Sequence, residues 1–181
     1  MKKIFFLVLT SILCLFVQLS AQTAKKTRFG VKGGLNHTVI NGYETNGDKT
    51  GFTGSTVYGA FFAETHIGST TFLVNELLFS WVNDWHFIEI PVHIKQMLNP
   101  KLSVFLGPKL DFASDKFDNS KESKSDFCGI SIETGAQYNF TKRIFLEGRY
   151  SIGVSKQFRD ESFDINEGKR NNLRFGVGFR F

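Results

Sequence analysis

Apolar and polar residues alternate with a period of two through most of the chain beyond residue 28, in runs of about ten residues separated by clusters of Gly, Asn, Asp and Ser. A period of two sends successive side chains to opposite faces of a β-strand. The clearest run is Phe87 to Leu98, where Ile88, Ile90, Val92 and Ile94 share one face while Phe87, Glu89, Pro91, His93 and Lys95 share the other. In the next run Leu102, Val104, Leu106, Leu110 and Phe112 oppose Ser103, Phe105, Gly107, Lys109 and Asp111, with Pro108 interrupting the apolar face. Cys128, Ile130, Ile132, Ala136 and Tyr138 then oppose Gly129, Ser131, Glu133, Gly135 and Gln137. Ile144, Leu146, Tyr150, Ile152 and Val154 oppose Phe145, Glu147, Arg149 and Ser151. The last run is the sharpest: Leu173, Phe175, Val177, Phe179 and Phe181 alternate with Arg174, Gly176, Gly178 and Arg180.

Three earlier runs complete a set of eight. Phe29, Val31 and Leu35 alternate with Lys32 and Asn36, and Val57, Phe61 and Ala63 alternate with Tyr58 and Glu64. In the third, about Thr71 to Trp81, Leu73, Leu77, Phe79 and Trp81 are in phase but Asn75 is out of character, so a bulge near Asn75 or a register slip is expected. The connections alternate in length. His66 to Thr70, Leu98 to Lys101 and Asn139 to Arg143 are short, as on the periplasmic side of a membrane barrel. Thr38 to Phe52, Ser114 to Asp126 and Ser155 to Arg170 are long and polar and are expected to face outward, with Val82 to Asp84 a tight exception.

The first residues change the picture from a fold to a compartment. Met1-Lys2-Lys3 is a short positive region and Ile4 to Leu19 a nearly unbroken apolar run, followed by the small residues Ser20 and Ala21; this reads as a secretory signal over 1–21. Removing 21 of 181 residues leaves 160, one domain over 22–181. The loss of Lys2 and Lys3 from 22 basic residues leaves 20 against 17 acidic, a small excess that gives no reason to expect a nucleic-acid partner. Cys14 falls within the signal, so Cys128 alone remains and no intramolecular disulfide is expected.

Which face is inside follows from size and charge. The chain carries 21 Phe, and no segment after the signal approaches a continuous apolar run of helical spanning length. A membrane protein without spanning helices must be a closed barrel, because every backbone polar group in lipid needs an internal partner. A lipocalin or sandwich would turn the apolar face inward, and an eight-stranded barrel has little room for so many rings. With the polar face inside, Lys32, Lys95, Lys109, Arg149, Arg174 and Arg180 meet Glu89, Asp111, Glu133 and Glu147, with His93 among them. The signs nearly cancel, so a paired polar network filling the lumen is expected rather than a diffusion pore. Gly107, Gly135, Gly176 and Gly178 on this face are expected to make room for the long Arg and Glu side chains, and Trp81, Trp85, Tyr138, Phe140 and Tyr150 to form interfacial girdles. The predicted architecture is an all-β, eight-stranded antiparallel transmembrane β-barrel in the outer membrane.

Gly30-Val31-Lys32-Gly33-Gly34-Leu35-Asn36, Ile88-Glu89-Ile90-Pro91 with Lys95 following, and Leu106-Gly107-Pro108 resemble the PorT-like outer-membrane β-barrel proteins of Gram-negative bacteria. The likeness spans nearly the whole mature chain and implies location and fold. Some members belong to a protein-secretion apparatus associated with gliding motility, which makes an accessory secretion component the alternative role. The closing stretch Arg174 to Phe181 also looks like the C-terminal strand signal read by the barrel assembly machinery, with Phe179 and Phe181 as its aromatic positions.

Candidate chemistry is sparse. Asp84 and His86 straddle Trp85, with Ser80 nearby, but no motif positions a nucleophile, so a hydrolase or acyltransferase is the least favoured reading. Asp115, Asp118, Glu122 and Asp126 are interleaved with Lys116, Lys121 and Lys124 and read as a solvated loop rather than a cation site. Lys32-Gly33-Gly34 lacks the pattern of a phosphate loop and reads as strand. No catalytic residue, metal or cofactor is expected. The expected partners are outer-membrane lipid and the assembly machinery, with other envelope proteins left open, and the expected role is structural or loop-mediated binding.

Overall fold

The computed structural model describes residues 27–43, 48–82, 85–114, 128–155, 158–160 and 165–181. Nine strands occur among them: β1 Thr27–Tyr43, β2 Lys49–His66, β3 Thr71–Val82, β4 Trp85–Met97, β5 Leu102–Ser114, β6 Cys128–Asn139, β7 Ile144–Gly153, β8 Phe158–Asp160 and β9 Ile165–Arg180. Each of β1 to β7 pairs antiparallel with the next, and β7 pairs with β9. Closure comes from β1, which pairs with β9 from Gly30↔Arg180 to Asn41↔Lys169 while its other edge pairs with β2. The result is an eight-stranded antiparallel barrel; the short β8 lies outside the ring and pairs only with the start of β9. Closure leaves the eight-stranded ring of described residues without an open edge, which is what lipid demands of a sheet.

The alternation becomes an inside-out barrel. Leu35, Ile94 and Val177 are 67, 57 and 54% exposed, whereas Glu89 and Arg174 are not exposed at all. The turns at one end are short and locally specified. Asn99 Oδ1 accepts from the amides of Lys101 and Leu102, both at 2.9 Å, and Thr141 Oγ1 accepts from Arg143 and Ile144 at 3.1 and 2.9 Å. Side chains of this kind cap a reversal that backbone alone would leave unsatisfied.

Two prolines sit where the ladders break. Pairing of β3 with β4 lapses between Asn75↔Val92 and Leu78↔Glu89, opposite Pro91, and pairing of β4 with β5 lapses between Pro91↔Lys109 and Ile94↔Leu106, beside Pro108. Proline has no amide hydrogen to donate. Gly107 lies in the second gap, and a Cβ there would collide with the Val92 carbonyl, so the two strands touch backbone to backbone.

Three expectations are corrected. The register of β3 runs unbroken from Thr71↔Gln96 to Val82↔Trp85 on either side of the proline gap, so there is no bulge; Asn75 occupies an outer-face position. Most of the expected connection Thr38 to Phe52 is strand, because the β1–β2 ladder continues through Val39↔Thr53 and Ile40↔Phe52 to Tyr43↔Lys49. The expected connection Ser155 to Arg170 contains β8 and the first turn-proximal part of β9, for the same reason of added pairing. Between β5 and β6 the expected loop falls on residues 115–127, outside the described residues.

Candidate functional site

Alternation puts every second residue of eight strands into one narrow lumen, and the charges meet there. Glu89 of β4 receives Lys109 Nζ on Oε2 at 2.7 Å, and Arg174 Nη2 and Arg170 Nη1 on Oε1 at 2.5 and 3.2 Å. Asp111 takes Lys109 at 3.0 Å and Arg170 at 3.4 Å, and accepts the Ser131 hydroxyl at 2.5 Å. Arg174 extends the chain to Glu133 at 3.3 Å, and its Nε donates to Asn36 Oδ1 at 2.9 Å. Arg149 then joins Glu133 at 2.8 Å, Glu76 at 2.9 Å and Glu147 at 2.7 Å, and Lys32 bridges Glu76 and Glu147 at 2.5 and 3.1 Å. One connected network therefore links five carboxylates from β3, β4, β5, β6 and β7 to cations from β1, β5, β7 and β9. A second, smaller cluster joins Glu64 of β2 to Lys95 at 2.5 Å and Arg180 at 3.2 Å.

Multiple ion pairing offsets the burial of these charges, while Arg149 Nε and Arg170 Nε are left without a hydrogen-bond partner among the described residues. A lone buried charge carries a desolvation cost of several kcal/mol, about as much as its Coulombic partner returns, so each ion needs more than one partner. Glu89, Glu76 and Arg149 each have three. His93 lies between Glu76 and Glu133, with Nδ1 3.7 Å from one and Nε2 3.2 Å from the other; Nε2 is within ion-pair distance but off the hydrogen-bonding direction.

Aromatic rings fill the space between the two clusters. Phe62 and Phe145 meet edge to face with centroids 5.6 Å apart, and Phe72 packs in the same buried group. Cations of both clusters lie over these rings: Lys32 over Phe62 at 5.6 Å, Lys95 over Phe72 at 5.3 Å and Arg180 over Phe145 at 4.4 Å, a contact that favours a positive charge against the ring face. Arg170 stacks on Phe87 at 3.6 Å.

Every residue named for the polar lumen, Lys32, Glu89, His93, Lys95, Lys109, Asp111, Glu133, Glu147, Arg149, Arg174 and Arg180, is buried on the inner face. The structure adds Glu64, Glu76 and Arg170. Glu64 has the right phase in its strand, Glu76 is obscured by the polar Asn75 before it, and Arg170 lies in a stretch whose polar composition is that of a loop. The glycines serve a different purpose from the expected one. A Cβ on Gly176 would strike the Tyr58 hydroxyl and one on Gly178 the Phe145 ring, so these positions admit aromatic rings rather than Arg and Glu. Phe179 and Phe181 face outward, edge to face at 5.9 Å, beside the β1 seam, where the Phe181 amide donates to the Phe29 carbonyl at 2.9 Å. Trp81, Tyr138 and Tyr150 also face outward, and Phe140 is an exposed turn residue against Tyr138.

Of the rim candidates, Ser80 and His86 lie on opposite faces of the wall. Ser80 points into the lumen and donates to Glu89 at 2.9 Å, whereas His86 lies on the exposed outer face; Asp84 and the Trp85 side chain are outside the described residues. Asp115, Asp118, Glu122 and Asp126 are outside them too.

The architecture matches solved membrane barrels. Neisserial surface protein A has a TM-score of 0.57 at 16% identity, over 84% of this chain and 97% of that one. Ail, the attachment invasion locus protein of Yersinia pestis, solved with the heparin analogue sucrose octasulfate, has a TM-score of 0.55 at 12% identity, over 86% of this chain and 99% of that one. At these identities the likeness is one of fold. No curated protein matches the sequence. The family model described as outer membrane protein beta-barrel domain matches residues 7–181. A closed barrel with an apolar belt and a charged interior, matched over nearly its full length, is an outer-membrane protein, and this chain belongs to the outer membrane protein beta-barrel domain family.

Proposed function

We propose that this protein is a non-enzymatic scaffold of the outer membrane, closed to solutes, that contributes to envelope integrity or presents its outer connections for binding. The observation that carries this reading is the filled lumen: the Glu89–Arg174–Glu133–Arg149 chain crosses it from wall to wall, and the Phe62, Phe72 and Phe145 rings occupy the space below. The inward hydroxyls of Ser80, Ser131 and Ser151 are committed to Glu89, Asp111 and Lys109, which supports a structural use for them in place of nucleophilic chemistry. Insertion is by the assembly machinery, with Phe179 and Phe181 as the recognised outward aromatics, after export directed by residues 1–21.

The test is reconstitution of the folded protein into phospholipid vesicles, with small-sugar uptake and fatty-acid release measured together. Neither is expected above protein-free vesicles. Sugar uptake would overturn the closed lumen, and lipid hydrolysis would overturn the non-enzymatic reading.

A second reading, an accessory component of a PorT-like secretion apparatus, draws support from the stretches Gly30 to Asn36, Ile88 to Pro91 and Leu106 to Pro108. Those stretches contribute Lys32, Asn36 and Glu89 to the lumen and the Gly107–Val92 contact to the wall. Co-purification of secretion-complex subunits after mild detergent extraction is expected under this reading, and recovery of the barrel alone would reject it.

A further inference from the structure

Below the Glu64 cluster the lumen opens, at the short-turn end, into a cavity of about 280 Å³. Its charge differs from that of the lumen above it. Arg28, Lys95, Lys101, Lys142 and Arg180 line it against one carboxylate, Glu64. Lys95 and Arg180 already share Glu64, whereas Arg28, Lys101 and Lys142 have no ion-pair partner among the described residues. The cavity therefore carries an excess of four positive charges, where the network above nearly balances.

A second observation points to a missing ligand. Ser103, on the inner face of β5, lines the same cavity and is 1% exposed, yet its hydroxyl makes no hydrogen bond among the described residues. Buried hydroxyls in folded proteins are nearly always partnered. The other inward serines of the barrel follow that rule, each bonded to an ion of the network. The nearby amide of Gln137 is committed to Asn139 at 2.8 Å and leaves Ser103 unserved.

We propose that this vestibule is a binding site for a phosphate group, free or carried by a small organic molecule. A phosphate brings up to two negative charges and three strong acceptor oxygens. These suit a planar guanidinium, lysine ammonium groups and one hydroxyl donor better than the two oxygens and single charge of a carboxylate do. Phe72 and Met97 give the cavity an apolar wall against which the organic part of a phosphomonoester can lie, and the volume approaches the lower end of small-molecule sites. By the rule that short turns face the periplasm, the ligand is a periplasmic one.

The experiment uses the full folded barrel in a maltoside detergent, titrated calorimetrically with inorganic phosphate, glycerol phosphate and acetate in separate runs. The comparison variants are K101Q/K142Q, which changes two exposed turn residues, and Ser103→Ala, each checked for folding by its heat-dependent gel shift. Saturable one-site binding is expected, weakened about tenfold in K101Q/K142Q and severalfold in Ser103→Ala. Tighter binding of glycerol phosphate assigns the site to a phosphomonoester, and equal binding assigns it to the free ion. Absence of saturable binding, unchanged affinity in K101Q/K142Q, or equally tight binding of acetate would overturn the proposal.

Discussion

Glu89 of β4 and Arg174 of β9 meet across the barrel at 2.5 Å, neither of them exposed to solvent. The two residues come from strands that are not neighbours in the sheet, so their contact ties opposite walls through the lumen. Glu89 also holds Lys109 and Arg170, which makes it the anion on which the outer half of the network converges.

Removing that anion leaves three buried cations facing one another. Glu89→Ala is expected to lower stability by about 3–5 kcal/mol, the range for breaking a buried pair from one side. Urea unfolding of the protein in micelles reads this directly, and a variant as stable as the wild type would show that Glu89 does not organise the network.

The outer face makes the opposite demand. Val177→Arg is expected to cost about 2–4 kcal/mol if it lies near the bilayer midplane. Asn75→Leu is expected to be neutral or stabilising, since the Asn75 amide sits on the outward face without a hydrogen-bond partner among the described residues. Folding yields into lipid vesicles compare the two, and a loss at Asn75 would mean that this position is not lipid-facing.

At the proline gaps, size alone decides. Gly107→Ala pushes a methyl group into the Val92 carbonyl and is expected to cost about 1–3 kcal/mol, as overpacking does. Gly59→Ala, whose Cβ would meet nothing within 4 Å, is the control and is expected to be tolerated. Equal melting of both variants would remove the close approach of β4 and β5 from the account.

The sequence made most of this legible because a strand has only two faces. Once Glu89, His93 and Lys95 alternate with Ile88, Ile90 and Ile94, fixing one residue inside fixes the rest. The residues that escaped did so for local reasons. Glu76 follows Asn75, a polar residue on the lipid side, and that single exception blurred the phase of β3. Arg170 lies in a polar stretch whose strand character comes from pairing with β1, as in Ile40↔Arg170, and not from its own pattern. The partners of each charge were out of reach as well, because Arg174–Glu89 and Arg149–Glu76 contacts depend on strand stagger across the barrel. The purpose of Gly176 and Gly178 required knowing that Tyr58 and Phe145 point at them from other strands.

The most direct test of the filled lumen is single-channel recording in planar bilayers, comparing the wild type with a Phe62→Ala/Phe145→Ala/Glu89→Ala variant that retains the heat-dependent gel shift of a folded barrel. The account predicts an electrically silent wild type and discrete conductance steps once the rings and the central anion are removed; stable conductance steps from the wild type would contradict it.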